Sequence, residues 1–155
     1  MHDAGLDDTD RRILRVMQRD ARISHVELSE AINLSASQCQ RRLKRLEDLG
    51  VIDRYVALLD EEKAGFGVMA FVNITLDKHG ENPARAFNEA IGRYPAILEC
   101  WAVTGEADYV LRVVAQDLKS FSGFLMHDLL GLSMVASVKS NILLEKEKFT
   151  TALPV

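Results

Sequence analysis

The sequence predicts an α+β protein: a winged or three-helix helix-turn-helix unit followed by a ferredoxin-like βαββαβ domain. Three observations carry this. Apolar residues recur at helical spacing from Asp7 to Leu49. After Gly50 the pattern changes to β-rich runs. From Val68 onward strands and helices alternate in the order βαββαβ, with apolar residues on both sides of several strands. The expected boundaries are 1–50 for the helical unit, 51–67 for a β-linker and 68–155 for the second domain.

The helical unit reads from its start. Asp7-Asp8-Thr9-Asp10 is an acidic cluster that suits a helix N-terminus, by capping and by the helix dipole. Ile13, Leu14, Met17 and, beyond a turn, Ile23 supply its apolar face. Ser24 with Glu27 spells a capping box for a short second helix, whose apolar side is Val26, Leu28, Ala31 and Ile32. Asn33-Leu34-Ser35 is a tight turn. Ser35 caps a third helix that runs to about Leu49, and Gly50 stops it.

Val51 to Leu59 then reads as a strand, and Asp60 to Gly67 as a connector with Gly65 and Gly67. The remaining elements are strand Val68–Asp77, helix Pro83–Arg93, strand Leu98–Thr104, strand Asp108–Ala115, helix Leu118–Leu130 and strand Val135–Glu145. The helices carry Phe87, Ala90 and Ile91, and Leu118, Phe121, Leu125 and Leu129, as packing faces. Both helices fall on one side of the sheet. Phe71, Trp101, Leu111 and Leu143 make the strands apolar on both sides, so a partner subunit is expected on the open face.

Composition bounds the function classes. Of 155 residues, 48% are hydrophobic and 27% charged, which suits a globular protein with a real core. No run of 18 apolar residues offers a membrane span, and Met1-His2-Asp3-Ala4-Gly5 lacks a signal-peptide pattern. Cys39 and Cys100 are unpaired in spacing, which fits a reducing compartment and argues against a zinc site. The expected location is the cytoplasm, in association with the nucleoid. The net charge of −4 is unusual for a nucleic-acid binder, yet residues 35–46 hold Arg41, Arg42, Lys44 and Arg45 and no acid.

That basic stretch lies on the third helix. With Cys39, Leu43 and Leu46 pointing inward, Ser37, Gln38, Arg41, Lys44 and Arg45 fall on the outer side. Gln38 and Arg41 offer paired hydrogen bonds to base edges; Lys44, Arg45 and the Ser35 or Ser37 hydroxyls suit phosphates. A solvated basic helix face is the alternative for the charge run alone. The short preceding helix and tight turn favour reading of double-stranded DNA. Arg42 lies beside the core stripe, where it anchors the helix or pairs with an acid.

The second chemical feature is the turn Val103-Thr104-Gly105-Glu106-Ala107-Asp108-Tyr109. Gly105 supplies a positive φ or a close backbone approach, and exposed turn N–H groups bind carboxylates. Glu106 or Asp108 suits an ammonium group. An amino acid offers both charges, although a plain hairpin explains the same residues. His2, His25, His79 and His127 are scattered, Gly65-Phe66-Gly67 lacks a phosphate-loop setting, and no nucleophile–base pair stands out, so no enzyme, metal or cofactor is expected.

In this order and spacing the residues resemble the Lrp/AsnC, or feast/famine, family of prokaryotic regulators, over nearly the whole chain. The resemblance rests on Leu6 through Leu14, Asp20-Ala21-Arg22-Ile23-Ser24, Leu34-Ser35, Cys39 through Glu47, Gly50-Val51-Ile52, Thr104 through Tyr109 and Phe149 through Pro154. It implies a RAM-type second domain that dimerises back-to-back through its sheets, with further assembly to tetramers or octamers. It implies that Ile52–Leu59 crosses between subunits. It also implies an amino-acid effector near the Gly-x-x-Asp turn, at Thr104, Gly105, Glu106 and Asp108, with Ser137 and Ser140 as additional candidates. The chain departs from the family at Leu132-Ser133-Met134-Val135, where methionine stands at a usual glycine. The expected function is sequence-specific transcriptional regulation set by an amino acid. The alternatives are an architectural DNA-compacting protein and an amino-acid-handling enzyme.

Overall fold

The computed structural model describes residues 5–77 and 82–155. The chain start read for signal character, with His2, and the segment holding His79 lie outside the described residues. Two compact units form: Met1–Leu58 together with Lys148–Val155, and Leu59–Glu147.

The first unit contains α1 (Asp8–Met17), α2 (His25–Ile32) and α3 (Ala36–Asp48). Each begins with a reciprocal capping box, Asp7 with Asp10, Ser24 with Glu27, and Ser35 with Gln38. Such boxes satisfy amide N–H groups that have no partner inside the helix. Asn33 ends α2 in the left-handed region at φ 54°. Its N–H donates to Glu30 O at 3.4 Å and the Leu34 N–H to Ser29 O at 3.0 Å, a Schellman closure that turns the chain into α3. The core is Ile13, Leu14, Met17, Leu28, Ile32, Cys39, Leu43 and Leu46. Val26 and Ala31, expected inside, are exposed. On a 3.6-residue helix the Leu28–Ile32 stripe already faces α1 and α3, and Val26 falls nearly opposite to it.

Two expectations change in this unit. No strand forms over Val51–Leu59 among the described residues, and Tyr55, Val56, Leu58 and Leu59 are 48–73% exposed. An extended segment needs a neighbour to pair with, and no strand pairing among the described residues includes Val51–Leu59. The chain's last residues, expected with the second domain, pack instead against α1. Arg15 Nε donates to Val155 O at 2.6 Å. Gln18 accepts from the Leu153 N–H at 2.6 Å and donates to Leu153 O at 3.1 Å. Val155 joins the core periphery.

The second unit contains β1 (Val68–Leu76), α4 (Pro83–Ile91), β2 (Ile97–Ala102), β3 (Tyr109–Ala115), α5 (Leu118–Gly123), a π-helical continuation (Phe124–Leu129) and β4 (Val135–Ile142). The sheet order is β2-β3-β1-β4, antiparallel throughout, as a ferredoxin-like fold requires. Alternate residues Val68, Ala70, Val72, Ile74 and Leu76 bury against Phe87, Ile91, Phe121 and Leu129. Leu118, expected to pack, sits in the first turn of its helix and is 60% exposed. The last strand stops at Ile142, so Leu143 to Glu145 lie beyond it. The opposite sheet face carries Phe71 at 40% and Trp101 at 62% exposure.

Candidate nucleic-acid interface and effector pocket

On α3 the inward stripe of Cys39, Leu43 and Leu46 leaves Ser37, Gln38, Arg41, Lys44 and Arg45 exposed. Their surroundings differ. Ser35 Oγ accepts from the Gln38 N–H and Gln38 Oε1 from the Ser35 N–H, both at 3.3 Å. The Ser35 and Ser37 hydroxyls lie 3.2 Å apart. Capping therefore occupies the Gln38 carbonyl and leaves its amide NH2 outward. Lys44 makes a surface pair with Asp48 at 3.3 Å, both ends well exposed, of the kind that contributes little. Arg41 has no ion pair or hydrogen bond among the described residues.

The other two arginines are held from behind. Arg42 NH1 reaches Asp7 Oδ2 and Asp10 Oδ1, each at 2.7 Å. Arg45 NH1 reaches Asp10 Oδ2 at 2.8 Å and Arg45 NH2 reaches Gly5 O at 3.4 Å. The hydrogen bond from the Asp10 N–H, then Arg42, hold the Asp7 carboxyl below its usual range, and Asp7 and Asp10 push the Arg42 guanidinium up. Arg42 thus pairs with acids, one of the two roles its position beside the core stripe suggested.

In the second unit the turn before β3 opens a cavity of about 610 Å³, lined by Asn73, Thr75, Val103, Thr104, Glu106, Ala107, Val110 and Lys139. Glu106 Oε2 and Lys139 Nζ stand 3.8 Å apart, so both signs of charge meet at its wall. Gly105 adopts φ 116°, and an added Cβ there would meet nothing within 4 Å. The positive φ, not a close approach, is what asks for glycine.

Thr104 and Glu106 line the cavity, whereas Gly105, Asp108, Ser137 and Ser140 do not. Asp108 is bound into the fold: its Oδ2 accepts from the Leu76 N–H at 2.7 Å and its own N–H donates to Ile74 O at 2.9 Å. Ser137 pairs with Thr75 and shares the face of Lys139, while Ser140 pairs with Val72 and lies on the opposite face. Strand alternation separates these two serines.

Two family models match this architecture in turn. "Winged helix-turn-helix DNA-binding" covers residues 6–53 and "Lrp/AsnC ligand binding domain" covers residues 69–153. The chain belongs to the Lrp/AsnC family. It is a transcriptional regulator with a DNA-binding helix-turn-helix and a ligand-binding domain. It is 37% identical over 150 residues to the transcriptional regulator AzlB of Bacillus subtilis, covering 97% of this chain and 96% of that one. It is 38% identical to the DNA-binding transcriptional activator DecR of Escherichia coli K12, covering 97% and 99%. The crystal structure of the Neisseria meningitidis regulator NMB0573 with L-Met superposes with a TM-score of 0.93 at 40% identity, covering 96% of both chains.

Among the cavity's residues, Asn73, Thr75 and Lys139 were not singled out from the sequence. Their proximity follows from β1–β4 register, in which Asn73 opposes Lys139 and Thr75 opposes Ser137. No local Lrp/AsnC signature announces that pairing.

Proposed function

We propose that this chain binds a two-fold-related DNA site through paired α3 helices and that an amino-acid effector in the cavity beside Gly105 alters that binding. Arg41 carries the DNA reading: it is exposed at the middle of a capped helix, opposite the core stripe, with its guanidinium unpaired. A free guanidinium makes paired hydrogen bonds to guanine or a strong phosphate contact. Ser37, the Gln38 amide NH2 and Lys44 stand on the same outer surface, and Ser35 serves as the helix cap.

The cavity suits a zwitterion. Lys139 faces a carboxylate, Glu106 an ammonium, Asn73 and Thr104 add hydrogen-bonding groups, and Val103 and Val110 take an apolar side chain. The L-Met complex of the 40%-identical relative makes methionine the first amino acid to try. A second copy of the chain on the face of Phe71 and Trp101 gives the dimer that two-fold reading needs, with tetramers or octamers built from it. Catalysis has no part in this reading, and a regulator that binds DNA would act in the cytoplasm, on the nucleoid. Among the described residues no helix is long and apolar enough to cross a membrane.

The test is binding to genomic fragments, including the gene's own upstream region, against random DNA at physiological salt, with and without an amino-acid panel. Selective binding altered by one amino acid is expected. Equal affinity for all DNA would favour the architectural alternative.

A further inference from the structure

Asp10 is the one charged residue among the described residues that is buried, at 0% exposure. A carboxyl group withdrawn from water needs polar partners, and both of its oxygens are taken: Oδ1 by Arg42 NH1 at 2.7 Å and Oδ2 by Arg45 NH1 at 2.8 Å. Oδ2 also accepts the Asp7 N–H at 3.3 Å. Arg42 and Arg45 are three residues apart, so they share one flank of α3. That flank meets the N-terminus of α1. Arg41, four residues before Arg45, borders it but has no acid partner among the described residues, and Lys44 pairs only with Asp48 at the surface.

The basic stretch of α3 is therefore split into two bound cations and two outward ones. Arg45 is misleading because its side chain is 46% exposed and would be counted as a phosphate contact. To reach a phosphate, its NH1 must leave Asp10 and strand a buried oxygen without its ion pair. Breaking one half of a buried pair costs more than a surface phosphate contact returns.

We propose that Asp10 withholds Arg45 from DNA, making Arg45 a positioning residue that fixes α3 and leaving phosphate neutralisation on this helix to Arg41 and Lys44. The consequence is specificity. Each masked cation removes one sequence-independent contact, which lowers affinity for random DNA and leaves base reading untouched. The inference rests on the DNA-binding reading of α3.

The experiment is fluorescence anisotropy of the full chain with a random-sequence 30-base-pair duplex across about 50–200 mM NaCl. Each phosphate contact adds about 0.9 to the magnitude of the log–log salt slope, or three- to fourfold in affinity over that range. Arg45→Gln should leave the slope unchanged within about 0.3 while lowering the melting temperature; Arg41→Gln should lower the slope by about 0.9 with little change in melting. A slope loss of about 0.9 in Arg45→Gln would overturn the proposal. Asp10→Asn, if circular dichroism shows it folded, should steepen the slope and tighten random-duplex binding; a folded Asp10→Asn with the wild-type slope would also overturn it. If Asp10→Asn does not fold, Arg45→Gln decides alone. Absence of salt-dependent binding by the wild-type chain, with or without methionine, would bring down the DNA-binding reading and this inference with it.

Discussion

The Asp108 carboxylate accepts the backbone N–H of Leu76 at 2.7 Å, across the irregularity where β1 shifts register between Thr75 and Leu76. A residue that the Gly-x-x-Asp resemblance assigns to a ligand is thus already committed to closing the end of a strand. Asp108→Ala should destabilise the chain by about 1–2 kcal/mol, the cost of an amide left without its charged acceptor. Asp108→Asn, which keeps an acceptor oxygen, should recover most of that. Urea unfolding of both variants checks this. Wild-type stability in Asp108→Ala, with amino-acid binding lost, would return Asp108 to the ligand.

Lys139 gives the complementary prediction for the cavity. Lys139→Met should weaken binding of the responsive amino acid at least tenfold, because its carboxylate loses its cation, and should leave effector-free DNA binding unchanged. Isothermal titration with methionine first, then the amino-acid panel, measures this. An unaltered affinity would place the effector elsewhere.

The turn into α3 depends on Asn33 in the left-handed region. Asn33→Ala should cost about 1 kcal/mol, since a Cβ without a local hydrogen-bonding side chain disfavours that conformation. Asn33→Gly should be neutral or slightly stabilising. Denaturant midpoints compare the two; equal losses would mean that the asparagine side chain, not the backbone angle, holds the turn.

Tyr55 donates its hydroxyl to Glu47 Oε1 at 2.7 Å. Burial, then the Glu47 carboxylate, push its phenol up to about 12. An unfolded tyrosine ionises near 10, so the folded value is raised. The contact's contribution is complete below about pH 10 and is lost as pH rises towards 12. Phenolate absorbance, taken as wild type minus Tyr55→Phe, should titrate with a midpoint near 12. A midpoint near 10 would mean the Glu47 contact does not hold in solution.

What could be read from sequence is what local chemistry dictates. Ser24 with Glu27 spells its own helix start, and the spacing of Phe87 and Ile91 names the packing face of their helix. The failures share a different cause. Val51–Leu59 has strand composition, but pairing is a property of two segments, and none of the pairings among the described residues includes it. Lys139 joins Glu106 only through sheet register. Asp10 read as one more acid favouring a helix N-terminus; its burial appears only when α3 brings Arg42 and Arg45 to it. Ser137 and Ser140 are both effector candidates by the family resemblance, and the pleat puts them on opposite faces.

The return of residues 148–155 to α1 makes the second unit an insertion within the first. On the ribosome, the helices that read DNA emerge before anything else, yet Leu153 and Val155, which complete their surroundings, arrive about a hundred residues later. Nascent chains therefore carry the three-helix core with one edge of α1 still open through synthesis of the entire sheet. The first part made is the last part finished: the contacts of Arg15 and Gln18 with the chain's last residues close only after the ligand-binding domain has been synthesised.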